Sequence, residues 1–375
     1  MAKFIHTSDW QLGITRHFLD SGVQERYNQA RFDSIRRMAD IVKAEDCRFV
    51  VVAGDVFESN QVNRRTVARA LEALRDIPAP IYLLPGNHDP LNDASVYASQ
   101  TFLDEKPDNV FVVADAVPIT IDEETELVGA PWFSKHPAGN PLHQALDSLA
   151  PARDRVRICL AHGEADSLTA FSGSETAIMM RRVEQALADG RIHFLALGDR
   201  HSYTRVDASG RVYYSGTPEV TDFVETEPGY VNLVEIDAGT VACRKIRTGS
   251  WTFQEWDADE LTAPEDVRLL LDGLRGVEAK DRCVVRLNLK GTLDLDSYSV
   301  LERELERLHD LFAACDIRDD GLHASACDVA RLESRLGGFA AETARELADR
   351  IAQNGDDVAA RDALLLLLRL SGGDA

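Results

Sequence analysis

The residues with the most chemistry to offer are Asp9, Gln11, Asp55, Asn87, His88, Asp89, His162, Asp199 and His201, and each of them closely follows a short apolar run. Asp9 follows KFIHTS, Asp55 follows VVVAG, Asn87 and His88 follow YLLPG, His162 follows ICLA, and Asp199 and His201 follow FLALG. Carboxylate, amide oxygen and imidazole together form a hard-to-borderline donor set suited to manganese, iron or zinc. Taken alone, each piece has a plain reading. A Gly-Asp after an apolar strand is a common turn, Asp55 by itself reads as a helix cap, and a single His162 reads as a satisfied interior histidine. The run Gly86-Asn87-His88-Asp89 is harder to explain by packing. Their shared placement at strand ends turns separate turns into one constellation.

The elements that must position them follow from periodicity. RFVVVAG and APIYLLPG read as buried strands ending in glycine turns. Between them NRRTVARALEALRDI has a helical stripe at Val67, Ala70, Leu71 and Leu74, with Asn63 as N-cap. The pattern repeats with the strand RVRICLAHG, the helix SETAIMMRRVEQALADG and the strand IHFLALGD. RVYYSG, GYVNLVEID and TVACRKIRT follow as short strands with an antiparallel look. In a layered α/β sheet the carboxyl ends of strands converge on one edge, where such folds place ligands. Five strand ends would gather the donors in one cleft, enough for two metals.

TGSWTFQEWDADELTAPED reads as a boundary, with an acidic turn and Pro264. Beyond it come a helix in APEDVRLLLDGL, a strand in RCVVRLNLKG, a helix in SVLERELERLHDLFAAC and a strand in LHASACDV. The expected domains are 1–248, 249–330 and a C-terminal helical segment over 331–375.

In this order the motifs resemble the calcineurin-like metallophosphoesterases, with Asp9-Trp10-Gln11, Gly54-Asp55, Gly86-Asn87-His88-Asp89, Ala161-His162-Gly163 and Gly198-Asp199-Arg200-His201 in the family's places. Within that superfamily HTSDWQLG, YYSGTPEVTDF and GYVNLVEI resemble the DNA-repair exonuclease branch of the SbcD type. The resemblance implies an α/β fold, a layered αββα core with a smaller α/β capping domain and C-terminal helices. It also implies a hydrolase using two divalent ions. One would be held by Asp9, position 11, Asp55 and His201, and the other by Asp55, Asn87, His162 and position 199. His88 would act near the leaving oxygen, oriented by Asp89 or Glu58, with helix capping the alternative for Asp89. DNA, a coiled-coil ATPase of the SbcC type and a second copy of the chain are the partners it implies.

Two positions depart from the family's histidine. Gln11 offers a weaker, neutral donor, and Asp199 adds an anion. The first ion should then bind loosely and the second site should favour manganese, with magnesium, iron or zinc as alternatives. Trp10 and Trp132 are candidates to line the cleft and stack on a base or sugar, with core packing the competing role, and Arg200 is a candidate phosphate contact.

Composition sets outer limits. The chain has 375 residues, is 45% hydrophobic and carries a formal charge of −22, which argues against coating nucleic acid by diffuse electrostatics. Residues 1–75 hold 12 Lys and Arg against 10 Asp and Glu, while the rest holds 29 against 53. A phosphate-facing surface is therefore expected in the first third, with Arg64, Arg65, Arg69 and Arg75 as candidates and a solvated helix face as the competing reading. The six cysteines include no C-x-x-C pair, and no stretch reads as a signal or membrane segment, so a cytoplasmic protein is expected. A small-molecule or cyclic-nucleotide phosphodiesterase and a catalytically weakened scaffold for the ATPase remain the alternatives.

Overall fold

The structure, a computed structural model, describes residues 1–152, 154–168, 175–237, 239–324, 337–353, 357, 359–360, 363–364 and 366–367. It divides into two compact units, Met1–His17 with Ser21–Trp251, and Phe18–Asp20 with Thr252–Ala375.

The first unit runs β1 (Ala2–Thr7), α1 (Ser21–Glu45), β2 (Phe49–Val52), α2 (Arg64–Arg75), β3 (Ile81–Leu83), α3 (Gln100–Glu105), β4 (Val110–Val112), β5 (Ile119–Thr120), β6 (Thr125–Gly129), α4 (Pro141–Ser148), β7 (Val156–His162), α5 (Met180–Ala188), β8 (Phe194–Gly198), β9 (Thr204–Arg205), β10 (Val212–Tyr214), β11 (Tyr230–Asp237) and β12 (Thr240–Arg247). Two sheets result, ordered β12-β11-β1-β2-β3-β4 and β5-β6-β7-β8-β10-β9. β1 to β4 are parallel, as are β6, β7, β8 and β10.

The strand period of two sorts the core. Phe4, Phe49, Val51, Ile158, Leu160, Phe194 and Ala196 pack together in one cluster with residues from both sheets. Their neighbours Ile5, Val50 and Val52 pack with Ile35, Met38 and Leu71 of α1 and α2. Cys159, Ala161, Leu195 and Leu197 pack with Leu142 and Val183 of α4 and α5. The outcome is an αββα arrangement, as the sequence leads one to expect. Asn63 does cap α2, its side chain accepting from Thr66 N at 2.9 Å. α5 starts at Met180, later than the apolar pattern suggests, with Asp166 accepting from Met180 N at 3.0 Å.

The second unit holds β13 (Thr252–Leu261), α6 (Pro264–Gly276), β14 (Cys283–Leu293), α7 (Leu295–His309), β15 (Ala314–Ala324) and α8 (Phe339–Gln353). The expected acidic turn is instead strand β13. Its carboxylates stand on one face, where Asn288 donates to Glu255 and Asp257 and Lys290 pairs with Asp259. Trp256 and Ala258, between them, pack toward the core of the unit. The last strand also begins earlier than expected, at Ala314, because its register on β14 starts at Val284. Residues 325–329 of the expected strand lie outside the described residues. No helix among the described residues is long and apolar enough to cross a membrane.

Candidate metal centre

The loops after β1 and β2 continue the pairing of their strands. Asp9 N donates to Gly54 O at 3.0 Å, Gln11 N to Asp55 O at 2.9 Å and Leu12 N to Val56 O at 3.0 Å. This ladder sets the two aspartates side by side, at the cost of unusual backbone. Asp9, Gln11, Asp55 and Asp199 have φ of 53°, 41°, 54° and 100°, the left-handed region, which costs a residue with a Cβ about 1 kcal/mol or more. Such strain is tolerated where the surroundings over-determine it, which is common at functional sites. Two glycines make room for the cluster. A Cβ on Gly54 would lie 2.2 Å from His162 Nδ1, and one on Gly86 would lie 2.1 Å from Asp55 Oδ1.

Three imidazoles are anchored in the same sense. His162 Nδ1 lies 2.9 Å from Ala53 O, His88 Nδ1 lies 2.9 Å from Glu58 O, and His201 Nδ1 lies 2.7 Å from Thr221 Oγ1 and 2.8 Å from Glu225 Oε1. With the Nδ1 protons directed at carbonyl or carboxylate oxygens, the Nε2 lone pairs are left to face the acidic cluster. His162 Nε2 is 3.3 Å from Asp55 and 3.7 Å from Asp199, His201 Nε2 is 3.9 Å from Asp9, and His88 Nε2 is 4.0 Å from Asp55. Ligand atoms of Asp9, Asp55 and His162, all buried, lie within 4.8 Å of one another.

Burial drives the titration here. It raises the Asp9 and Asp199 carboxyls above their usual range. Asp55 is pushed up by burial too, but His162 and His88 hold it below that range. Burial opposes charge on His162, yet Asp55, Asp9 and Asp199 together raise it well above its ordinary value. A site that crowds anions this way gains from a bound cation.

The donor set passes that test at Asn87 as well. One amide atom of Asn87 sits 2.8 Å from His162 Nε2 and 3.2 and 3.3 Å from the Asp55 carboxylate oxygens. Turned with its oxygen inward, the amide adds an oxygen donor beside Asp55 and His162; with its nitrogen inward it donates to both. Asp55, Asn87, His162 and Asp199 could hold one divalent ion, and Asp9, Asp55 and His201 another with Gln11 beside them, the partition that the family resemblance implies. Gln11 Nε2 lies 3.3 Å from His201 Nε2, so its amide donates to an imidazole lone pair and must turn over to ligate.

Asp89 departs from the role expected for it. It is buried and accepts from Gly86 N at 2.8 Å, Phe57 N at 3.0 Å and Tyr97 Oη at 2.6 Å, with its carboxyl pushed up to about 6 by burial and by Asp55. These bonds pin the Gly86-Asp89 turn to the β2 loop, and it is Glu58, through its backbone oxygen, that orients His88. Trp10 is a core residue whose Nε1 donates to Thr7 Oγ1 at 2.9 Å. Trp132 is likewise buried, and its Nε1 donates to His162 O at 2.9 Å, supporting the strand end that carries that ligand. The arginines of α2 pair away from the cluster: Arg64 with Glu105, Arg65 with Glu25, Arg75 with Glu72, and Arg69 with Gln29.

A cleft of about 510 Å³ opens over the cluster, lined among others by Gln11, Arg16, His88, Asp199, Arg200 and His201. Arg16 leans toward Asp222 at 3.7 Å, and Arg200 Nε donates to Thr204 Oγ1 at 3.0 Å. Sequence reasoning passed over Arg16, Thr221 and Glu225. The run TDFVE places Thr221 and Glu225 four residues apart, but nothing in it points to His201, which precedes it by a whole hairpin.

A family model described as calcineurin-like phosphoesterase matches residues 2–234. The chain is 31% identical over 309 residues to an uncharacterized metallophosphoesterase, YhaO, of Bacillus subtilis strain 168, covering 77% of this chain and 72% of that one. It is 21% identical over 322 residues to the DNA double-strand break repair protein Mre11 of Sulfolobus acidocaldarius, covering 82% and 80%. Among solved structures, a dimetal phosphatase from Danio rerio aligns at 12% identity with a TM-score of 0.42, covering 66% of this chain and 96% of that one. With its motifs gathered at the strand ends of a two-sheet core, the chain belongs to the calcineurin-like phosphoesterases, metal-dependent hydrolases of phosphate esters.

Proposed function

We propose that this hydrolase is a two-metal phosphodiesterase acting on DNA, the nuclease subunit of a repair complex. The observation that carries the DNA assignment is its similarity to a double-strand break repair protein over 82% of the chain, well past the family match that ends at residue 234. Divalent ions held by the donors described would supply Lewis-acid charge and acidify a water. The chain does the rest. His88, its Nδ1–H held by Glu58 O, presents Nε2 toward the cleft. In its protonated form it passes that proton to the ester oxygen as the P–O bond breaks and the water oxygen bonds to phosphorus. Arg16 and Arg200 at the cleft supply cationic contacts for the phosphate.

A manganese-dependent assay on linear duplex DNA, run beside a cyclic nucleotide, tests the reading. Cleavage of DNA is expected, and His88→Ala should lower it by roughly 10²- to 10⁴-fold while manganese binding persists. Cleavage of the cyclic nucleotide alone would favour the second reading, a small-molecule phosphodiesterase. That alternative draws on the acids lining the cleft, Glu58, Glu164, Asp199, Asp222 and Glu225, which oppose a polyanion. No cleavage of either would leave a scaffold.

The same reading brings a coiled-coil ATPase of the SbcC type as partner and a homodimer as the assembly. The C-terminal segment, where Phe339 and Leu366 stand exposed, would supply the ATPase docking surface; co-purification with and without that segment tests this.

A further inference from the structure

Arg31 on α1 is 2% exposed, and no carboxylate among the described residues pairs with its guanidinium. A buried cation is costly unless its donors are satisfied, and here they are satisfied by main-chain oxygens. Nε donates to Trp10 O at 3.1 Å and Nη2 to the same oxygen. Nη1 faces Glu219 O and Val220 O, each at 3.3 Å, and Tyr27 Oη at 3.1 Å. Tyr27 Oη in turn donates to Val220 O at 2.5 Å.

The two loops joined in this way are the ones that carry half of the metal centre. Trp10 lies between Asp9 and Gln11. Val220 leads directly into Thr221 and Glu225, which hold His201 by its Nδ1. Thr217 adds a parallel tie, its Oγ1 meeting both Asp9 O at 2.9 Å and Glu219 O at 2.8 Å. The His162 side chain is held by a different bond, from Nδ1 to Ala53 O, and Asn87 stands against His162 Nε2.

We propose that Arg31 is a positioning residue that sets the affinity of the metal site formed by Asp9, Gln11 and His201 without touching the ion. This rests on the two-metal reading above. The planar fork of arginine suits the task, because it serves several carbonyls in one plane, where the ammonium of a lysine is a single point. The left-handed backbone at Asp9 and Gln11 needs an outside restraint, and the guanidinium provides one at the peptide between them.

Manganese binding to the full chain, followed by calorimetry and electron paramagnetic resonance, tests the proposal. Asn87→Ala, which strips the other donor group, marks which binding phase belongs to which site. Arg31→Met is expected to weaken the Asp9–His201 site by roughly tenfold or more, as loss of an outer partner does, and to leave the other site within about twofold. Arg31→Lys should recover part of the loss. If Arg31→Met does not fold, Arg31→Lys alone must show the same one-sided weakening. Equal weakening of both sites, or of neither, in a wild-type background that binds two ions would overturn the proposal and leave the two-metal reading intact. A wild-type chain that binds no manganese would overturn both.

Discussion

Gln11 stands where an imidazole would bind metal more tightly, and it faces His201 Nε2 with its amide nitrogen. In the two-metal reading, turning the amide over, and losing that bond, is part of the free energy of loading the site. Gln11→His removes the need to turn, so metal affinity and activity at limiting manganese should both rise; a metal titration that does not move would show that position 11 is not a ligand. His6 supplies a pH test away from the cluster. It lies buried, with Nε2 3.1 Å from Leu197 O, and burial pushes its pKa down to about 3 from an ordinary 6.5. Its lowered value means that the unfolded chain takes up a proton which the folded chain refuses. Its contribution to stability is therefore complete above pH 6.5 and is lost as pH falls toward about 3, by up to ~1.4 kcal/mol per pH unit. His6→Phe should flatten that part of the acid limb, and urea midpoints at neutral and mildly acid pH would show it.

At the level of elements, the turns after the strands matter more than the strands themselves. Gly86→Ala would drive a Cβ to 2.1 Å from Asp55 Oδ1 and 2.6 Å from Asp55 N. Overpacking of this kind costs about 1–3 kcal/mol, and here the displaced group is a ligand in the two-metal reading, so metal binding should fall together with the melting temperature. If metal affinity held while stability fell, the turn would be structural only. Most of this layout was legible in advance, because the continuous apolar runs of the interior strands end on polar residues that packing does not explain. What escaped had physical reasons. β13 alternates acids with Trp256 and Ala258, and its acids find partners only across the sheet. α1 buries Arg31 and Ser34 among its apolar residues, which breaks the stripe that reveals a helix. Asp89 reaches Phe57 and Glu225 reaches His201, each on a distant loop, so those contacts had no local signature.

For the molecule as a whole, a charge of −22 and an acid-lined cleft limit how much of any DNA affinity comes from counterion release. The slope of log affinity against log salt for the isolated chain should be shallow, matching about two or three phosphate contacts, and a steep slope would point to a basic surface elsewhere. Another consequence follows from where the donors hang. Asp9, Gln11, Asp55 and Asn87 extend from β1, β2 and β3 of one sheet, while His162, Asp199 and His201 extend from β7 and β8 of the other. An ion drawing on both sets is a rivet through the sandwich, so filling the centre should stiffen the seam between the sheets. At a hundredfold excess over the dissociation constant, a single ion stabilises the folded form by ~2.7 kcal/mol. Chelation should accordingly lower the melting temperature and speed amide exchange first along β1, β2, β7 and β8.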